Sequence, residues 1–469
     1  MSSHLEKKAM STSHFSIRPL LFVLAIFGIV LGTGSILAGR GEIVGTVIGA
    51  LVATVIAGSV LLSACYSRPA LVMALLIFST LLQEVLFVNL EKVATLNQAI
   101  GFALVWVSAI KALNNGDLFR KIAHPITFAL VICLGNMTVS YLLLSVGHDN
   151  PLQDIRQFFH AFAWFLLCLL VIRKERDLIF LAGAYVVGGI VVAISGYFWH
   201  ALVNPLQYIT TGRQGIHGVA GHYIEYAFRC IIPLPIILSL LTAKKFRILN
   251  PGLIAAGIAL STAALLSGSR GAVVSFFFMS MIVVLLSRGS SFRKKIIMGV
   301  ALMAIPFVLP IDGILGNLFS IIQGDFPSDY STMSRLSYIN IVFQNLSIET
   351  LLWGTGLENF RDYYSGNLNP PHSIWLQTFF ELGTLGLVTQ LFIIHQLMKL
   401  FMSVYRRRAK VNPETSAKLT LGIGLSVFVI LFWGFYENIG WLNGSKHLFI
   451  LTGSMIAGSR IVGFEEKNS

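Results

Sequence analysis

Apolar runs of membrane-spanning length recur along the chain and alternate with short polar connections. A helix needs about 20 apolar residues to cross the hydrocarbon core of a bilayer. The pattern therefore predicts an all-α polytopic integral membrane protein, with about 12–14 transmembrane helices in a single domain over residues 1–469. The predicted spans centre on 20–38, 43–64, 70–88, 94–112, 126–146, 157–172, 178–200, 223–243, 251–267, 271–287, 296–311, 373–401, 419–436 and 446–462.

Composition excludes a water-soluble protein. Hydrophobic residues make up 55% of the chain and charged residues only 12%, whereas a soluble domain carries about 25% charged residues. The four cysteines all lie in apolar stretches and form no CxxC pair. We therefore expect them to be buried, unpaired residues that bind no metal.

The net charge of +13 comes from 34 lysines and arginines against 21 acidic residues. With a cytoplasmic N-terminus, most of the basic residues fall in the termini and in every second connection, as the positive-inside rule requires. We therefore expect both termini in the cytoplasm. The positive charge indicates orientation in the membrane rather than nucleic-acid binding.

Two outward-facing connections are long enough to carry function. The smaller covers residues 201–222 and the larger covers residues 312–371. In the larger loop, one face of a helical pattern collects Leu336, Ile339, Val342, Phe343 and Leu346. We expect this loop to contain short helices and to lie over the membrane surface as a lid or a side wall.

Three outer arginines are candidates for binding phosphate. Arg270 lies in SGSRGA between Gly268 and Gly271, which would let the backbone turn tightly, and Arg213 lies in TGRQGIHG. The guanidinium fork fits phosphate oxygens, and with Arg335 these residues share one face of the membrane, which favours a diphosphate ligand. The alternatives are a snorkelling arginine at position 270 and a solvated loop charge at position 213.

His372 follows Pro370 and Pro371 and opens the predicted span HSIWLQTFFELGTLGL. A histidine in the first turn lies at the positive end of the helix dipole, which favours the neutral imidazole and makes it available as a base. The alternative is an interfacial histidine that packs under the loop.

Glu381, Arg229 and Glu437 are secondary candidates for the site. Glu381 lies on the opposite side of a regular helix from His372, so with its neighbouring glycines Gly383 and Gly386 it is expected to serve helix packing or to pair with a buried group. Arg229 follows Glu225 at i+4, which favours a helical ion pair, although Arg229 is also a candidate ligand contact.

Glu437, in YENIGW, belongs to an outer patch of polar and aromatic residues. The patch fits either glycan stacking or an ordinary aromatic belt.

Phosphate-loop motifs are absent: the sequence contains neither GxxxxGK[ST] nor GxGxxG. An enzyme at the outer face of a bacterial inner membrane has no ATP at hand, so its energy has to arrive in an activated substrate. A glycan carried on a lipid diphosphate meets this requirement and fits the outer arginines.

Three segments, in this order, resemble the bacterial O-antigen ligase / O-antigen polymerase superfamily of membrane glycosyltransferases. The first is LLSGSRGAVVSFF around Arg270, and the third is PPHSIWLQTFFELGTLGL around His372. The second is SRLSYINIVFQNLSIETLLWGTGLENF, which has Arg335 near its start and ends in the GxGxxxF turn of Gly354, Gly356 and Phe360. The resemblance covers roughly residues 260–390 and is weaker elsewhere.

The resemblance implies a GT-C-like membrane fold and transfer of an O-antigen glycan from undecaprenyl diphosphate to the lipid A–core oligosaccharide. It implies no metal and no nucleotide cofactor. By the same resemblance, Arg213 and Arg270 bind the diphosphate, Arg335 assists, and His372 activates the acceptor hydroxyl at the periplasmic face of the inner membrane.

The resemblance leaves two related activities open. One is a polymerase that joins lipid-linked repeat units, and the other is an oligosaccharyltransferase that acts on protein hydroxyls. A transporter for the same lipid-linked glycan is the non-enzyme alternative. The candidate ionisable residues concentrate at the outer face rather than deep in the spans, which favours an enzyme.

Overall fold

The structure, a computed structural model, describes residues 63–82, 90–144, 151–203, 223–267, 269–286, 344, 347–357, 373–408, 415–435 and 445–468. The chain divides into two units, Met1–Arg68 and Pro69–Ser469. The helices named below all belong to the second unit.

Every regular element in the described part of the larger unit is a helix. In chain order they are α1 (Pro69–Leu82), α2 (Leu90–Asn114), α3 (Leu118–Ile122), α4 (Pro125–Leu144), α5 (Pro151–Val171), α6 (Glu175–Val203), α7 (Tyr223–Ile231), α8 (Pro233–Thr242), α9 (Asn250–Leu266), α10 (Arg270–Leu286), α11 (Ile348–Trp353), α12 (Ile374–Arg407), α13 (Thr415–Trp433) and α14 (Lys446–Asn468). A 3₁₀ helix, Lys244–Leu249, connects α8 to α9.

Six segments within the described ranges are long and apolar enough to cross a membrane. They are Pro125–Leu142, Glu175–Phe198, Ile224–Thr242, Lys244–Leu266, Ile374–Arg407 and Thr415–Trp433. The prediction of an all-α, multi-pass membrane protein is confirmed. The predicted spans 20–38 and 296–311, and nearly all of 43–64, lie outside the described residues.

Prolines set where several helices begin. Pro69, Pro125 and Pro151 are the first residues of α1, α4 and α5, where the missing N–H removes no hydrogen bond and the fixed φ suits the first turn. Pro233 begins α8 and so divides the predicted span 223–243 in two. The backbone of Ile232 keeps helical angles (φ −52°, ψ −43°), so α7 and α8 form one membrane crossing.

Helix α13 is enclosed by other helices. Nearly all of its residues are buried, and it packs against α6, α8, α10, α12 and α14. Small residues permit these contacts, since Gly422 lies beside Ser239 of α8 and Gly424 lies beside Phe401 of α12. Apolar character on all sides is typical of a buried helix, and α13 therefore supports the helices that carry the candidate residues.

Large apolar side chains on the outer helices are exposed, in contrast to those of α13. They include Phe128 and Ile132 of α4, Ile258 of α9 and Val388 of α12. Because these helices cross the membrane, their exposed apolar faces meet lipid rather than water.

The helix ends that the sequence places on one side of the membrane meet in the structure. Glu175, at the start of α6, pairs with Lys245 after α8 at 2.6 Å and accepts a hydrogen bond from Ser416 Oγ of α13 at 3.1 Å. Lys418 Nζ of α13 donates to the carbonyl of Thr242, at the end of α8, over 2.6 Å. The alternation of sides deduced from the basic residues therefore agrees with the packing.

Candidate functional site

The structure describes the predicted site residues to different extents. Arg229 and Glu381 are described with their side chains, and Arg270 is described by its backbone. The remaining candidates lie outside the described residues: Arg213, Arg335, His372 and Glu437. Their roles remain predictions, but the helix ends next to positions 270 and 372 have a defined geometry.

Arg270 is the first residue of α10, directly after a capped turn. The N–H of Ala272 donates to Ser269 Oγ at 3.3 Å and to the Ser269 carbonyl at 3.1 Å. The N–H of Ser269 in turn donates to Ser267 Oγ at 3.2 Å. The serines of SGSRGA thus end α9 and begin α10, and they place position 270 at the positive end of the α10 dipole.

Gly271 lies within α10 and has no positive φ, so it does not supply the tight turn expected of it. It faces Trp433, the last residue of α13: a Cβ at position 271 would lie 3.5 Å from Trp433 Cε2 and 3.6 Å from Trp433 Nε1. Trp433 is fully buried and packs edge-to-face on Phe228 of α7, with ring centroids 5.7 Å apart. The first turn of α10 therefore lies against the end of α13.

The helix predicted to open at His372 begins two residues later, at Ile374, with Ser373 as its N-cap. Position 372 therefore precedes the N-cap rather than standing in the first turn. The N–H of Ile374 donates to the carbonyl of Gly434 at 3.0 Å, and the Trp375 ring stacks on Phe435 with centroids 5.2 Å apart. These two contacts hold the start of α12 against the end of α13.

Helices α10 and α12 thus begin against two consecutive residues, Trp433 and Gly434. The N-terminus of a helix carries a partial positive charge, so two of them at one place favour an anionic group. Arg270 belongs to one of these helix starts and His372 immediately precedes the other. The sequence predicts that these two residues act together, and the structure brings the backbone segments beside them to the same helix end.

A break in α12 follows this start. Gly383 adopts φ 63° and ψ −161°, which no right-handed helix contains. Residues 384–407 measure about 36 Å at helical rise and are long enough to cross the bilayer alone. We call residues 374–382 the half-helix α12a. The helix is therefore not one regular span, as the apolar pattern predicted, but a half-helix joined to a full crossing.

The turn after α11 satisfies carbonyl groups that the break leaves free. Thr355 donates to the Phe380 carbonyl through its N–H, at 2.8 Å, and through its Oγ1, at 3.2 Å. The N–H of Gly356 donates to the Glu381 carbonyl at 3.2 Å. An unsatisfied backbone carbonyl in a membrane costs several kcal/mol, so this turn stabilises the broken helix.

Helix α4 supplies two further donors to the break. Ser140 Oγ donates to the Glu381 carbonyl at 3.4 Å, and Asn136 Nδ2 donates to the Leu382 carbonyl at 3.5 Å. In the other direction, Thr384 Oγ1 donates to the Leu351 carbonyl of α11 at 2.6 Å. Irregular backbone within a membrane occurs where protein surrounds it. Here α4, α11 and the turn after α11 contact the break.

Glycines allow the turn after α11 to pack closely against the break in α12. Gly354 and Gly356 have φ values of 79° and 103°, which disfavour any residue with a side chain. A Cβ on Gly354 would overlap the Glu381 carbonyl, and a Cβ on Gly383 would overlap the Leu352 carbonyl. Gly383, which the sequence assigned to helix packing, is instead the residue at which the helix breaks. Only the Gly354–Gly356 spacing signalled this contact in the sequence.

Buried polar side chains link the two halves of α12. Glu381 is 1% exposed, and its Oε1 accepts a hydrogen bond from Gln377 Nε2 at 3.1 Å. It thus pairs with a buried group, one of its two predicted roles. Gln390 Nε2 donates to Thr378 Oγ1 at 2.7 Å, although twelve helical residues would separate them by about 18 Å in a straight helix. The break therefore turns α12a back towards the following helix.

Arg229 connects α7 to α1 and pairs within its own helix. Its guanidinium is buried, donates to the Leu81 carbonyl at 3.3 Å and lies 3.5 Å from Glu225 Oε2. The predicted i, i+4 pair is therefore present. Its neighbour Phe228 contacts Trp433, so α7 forms one wall beside the end of α13.

Comparison with known proteins finds a family domain that includes these helices. The family model described as O-antigen ligase matches residues 255–391, a range that includes most of α9, all of α10 and α11, and α12 as far as Leu391. No curated protein sequence matches the chain. Residues 255–391 of this chain are therefore similar to the O-antigen ligase family.

Proposed function

We propose that the protein is a glycosyltransferase that moves an O-antigen glycan from undecaprenyl diphosphate to the lipid A–core oligosaccharide. The reaction takes place at the periplasmic face of the bacterial inner membrane. It inverts the anomeric configuration and requires neither a metal nor a nucleotide.

One observation carries the proposal: α10 and α12 begin against the consecutive residues Trp433 and Gly434. A phosphate-binding residue and a base have to stand within one substrate length of each other, and this junction joins the segments of Arg270 and His372. The family domain contains both segments, which supports the same pairing.

In the proposed step, His372 removes the proton from an acceptor sugar hydroxyl. The resulting oxygen attacks the anomeric carbon of the donor's first sugar, and the bond from that carbon to the diphosphate oxygen breaks. Arg213 and Arg270, with Arg335, stabilise the negative charge of the departing lipid diphosphate. A single displacement of this kind inverts the anomeric centre.

His372→Ala should abolish glycan transfer, because general-base catalysis contributes about 10²–10⁴-fold to such reactions. The measurement is the ladder of lipopolysaccharide bands in a strain that carries only the variant, together with the amount of protein in the membrane. His395→Ala is the matched control, since His395 lies exposed further along α12. A normal ladder from His372→Ala would exclude this role.

Arg270→Lys should lower transfer by about 10²-fold, because lysine keeps the charge but loses the fork that binds two phosphate oxygens. The rate is measured with purified protein and a defined lipid-diphosphate glycan. Arg156→Lys, on an exposed position of α5, is the control and should keep the wild-type rate. Equal rates for Arg270→Lys and wild type would contradict the proposal that Arg270 binds the diphosphate.

Loss of the gene separates the ligase from its nearest relatives in chemistry. A strain without a ligase accumulates lipid-linked polymer, whereas a strain without a polymerase attaches a single repeat unit to the core. Transfer by purified protein in detergent, where no second compartment exists, separates an enzyme from a transporter. Transfer to protein hydroxyls would identify an oligosaccharyltransferase.

A further inference from the structure

Buried hydrogen-bond donors without an acceptor cluster at the junction of α10, α12 and α13. Among the described residues, Trp433 Nε1, Trp375 Nε1 and Ser275 Oγ are buried and have no hydrogen-bond partner. Trp433 and Trp375 flank the hydrogen bond between Ile374 and Gly434, and Ser275 lies one turn after Gly271 on α10. Buried indole N–H groups usually have a partner, so this cluster calls for an explanation.

Trp433 has the most defined surroundings of the three. It is completely buried, its Nε1 is 3.6 Å from where a Cβ of Gly271 would lie, and its ring makes an edge-to-face contact with Phe228. The donor atom thus lies beside the first turn of a long helix, where the dipole attracts negative charge. The indole is shielded from water, which makes a missing acceptor costly and a supplied one effective.

We propose that the indole N–H of Trp433 donates a hydrogen bond to a phosphoryl oxygen of the bound lipid diphosphate. This inference rests on the proposed function for the identity of the ligand. An anionic oxygen that enters between the start of α10 and the end of α13 meets the helix N-terminus and this N–H together. The donor is left without an acceptor in the free protein so that binding, rather than folding, gains the hydrogen bond.

The test replaces the N–H without changing the shape of the ring. In 3-benzothienylalanine a sulfur atom takes the place of the indole N–H, so this residue at position 433 removes the donor and keeps the packing. Trp433→Phe is the second variant and can be made with natural amino acids. Trp164→Phe, a buried indole of α5 that lies beside Gly101 of α2, is the control for loss of a buried indole.

The measurement is the dissociation constant of glycan-free undecaprenyl diphosphate for the purified full-length protein. A hydrogen bond to a charged group corresponds to about a ten-fold to hundred-fold difference in affinity, and we expect that loss for both variants at position 433 but not for Trp164→Phe. Undecaprenol, which lacks phosphate, should bind wild type and the variants equally. Without lipid, the benzothienyl variant should unfold at the wild-type temperature.

Several results would overturn the inference. One is an unchanged dissociation constant for the benzothienyl variant. A second is a wild type that does not bind undecaprenyl diphosphate. A third is a benzothienyl variant that unfolds at a lower temperature than wild type without lipid. The proposed function fails separately: a wild type that binds the lipid but transfers no glycan contradicts the reaction and leaves the role of Trp433 intact. A wild type that transfers glycan, with equal affinity in the variants, contradicts Trp433 alone.

Discussion

The protonation state of His124 should affect the stability of the protein. It lies just before the membrane span of α4, and its Nδ1 accepts a hydrogen bond from the N–H of Ile126 at 3.3 Å. Burial, and then the positive charge of nearby Arg460, lower the pKa of His124 from 6.5 to about 4. The neutral ring thus caps α4, and protonation would remove the acceptor.

We expect the wild type to lose stability as the pH falls from 6.5 towards 4. In this window the unfolded chain binds a proton at position 124 and the folded chain does not, so the loss reaches about 1–3 kcal/mol at the lower end. His124→Asn keeps an acceptor for Ile126 but does not titrate. Thermal unfolding at pH 7.5 and pH 4.5 should show a smaller loss for His124→Asn, and equal losses would contradict the pKa assignment.

The sequence singled out candidate residues whose side chains are rare in a membrane, and it did not single out those whose side chains are common there. Arg270 and His372 stood out because ionisable groups in an apolar chain require a reason. Trp433 did not, because a tryptophan in an apolar helix is ordinary and only its position against Gly271 and its missing acceptor distinguish it. Glu381 was placed correctly with a buried partner, but its partner Gln377 was not identified.

At the scale of elements, the break in α12 should depend on Gly383. Gly383→Ala forces a side chain into φ 63° and against the Leu352 carbonyl, and each effect costs at least about 1 kcal/mol. We expect the variant to unfold at a lower temperature and to lose most transfer activity, because α12a follows His372 directly.

The matched control is Gly135→Ala in α4, where the new Cβ would meet no atom within 4 Å. Because alanine favours a helix by up to about 1 kcal/mol over glycine, this variant should be as stable as wild type or more stable. If Gly383→Ala kept wild-type stability and activity, the break would have no structural importance.

Most helices were predictable from apolar length and from proline positions, but this break was not. Apolar periodicity records which residues avoid water, and it stays the same whether residues 374–407 form one helix or two. The break depends on hydrogen bonds from Thr355 and Gly356, and from Asn136 and Ser140 on α4, which are remote in sequence. The sequence showed the close spacing of Gly354 and Gly356, but it did not show that this turn contacts the break at Gly383.

The two ends of α13 contact different sets of helix ends. Its first turn joins the starts and ends of helices that carry basic residues, through the contacts of Ser416 with Glu175 and of Lys418 with Thr242. Its last residues hold the starts of α10 and α12. These contacts of Glu175 and Lys418, and the helix starts beside positions 270 and 372, therefore lie at opposite ends of one buried helix.

This arrangement predicts where each end is accessible. All four natural cysteines are buried and free, so a membrane-impermeant maleimide should label the wild type weakly, and new cysteines report their own position. Ser365→Cys, in the predicted outer loop 312–371, should be labelled in cells whose outer membrane alone is permeabilised. Asn412→Cys, between α12 and α13, should be labelled only after the inner membrane is opened. Because α12 lies between the two positions and crosses the membrane once, the two variants have to differ. Labelling of Asn412→Cys from outside would reverse the predicted orientation and place His372 in the cytoplasm.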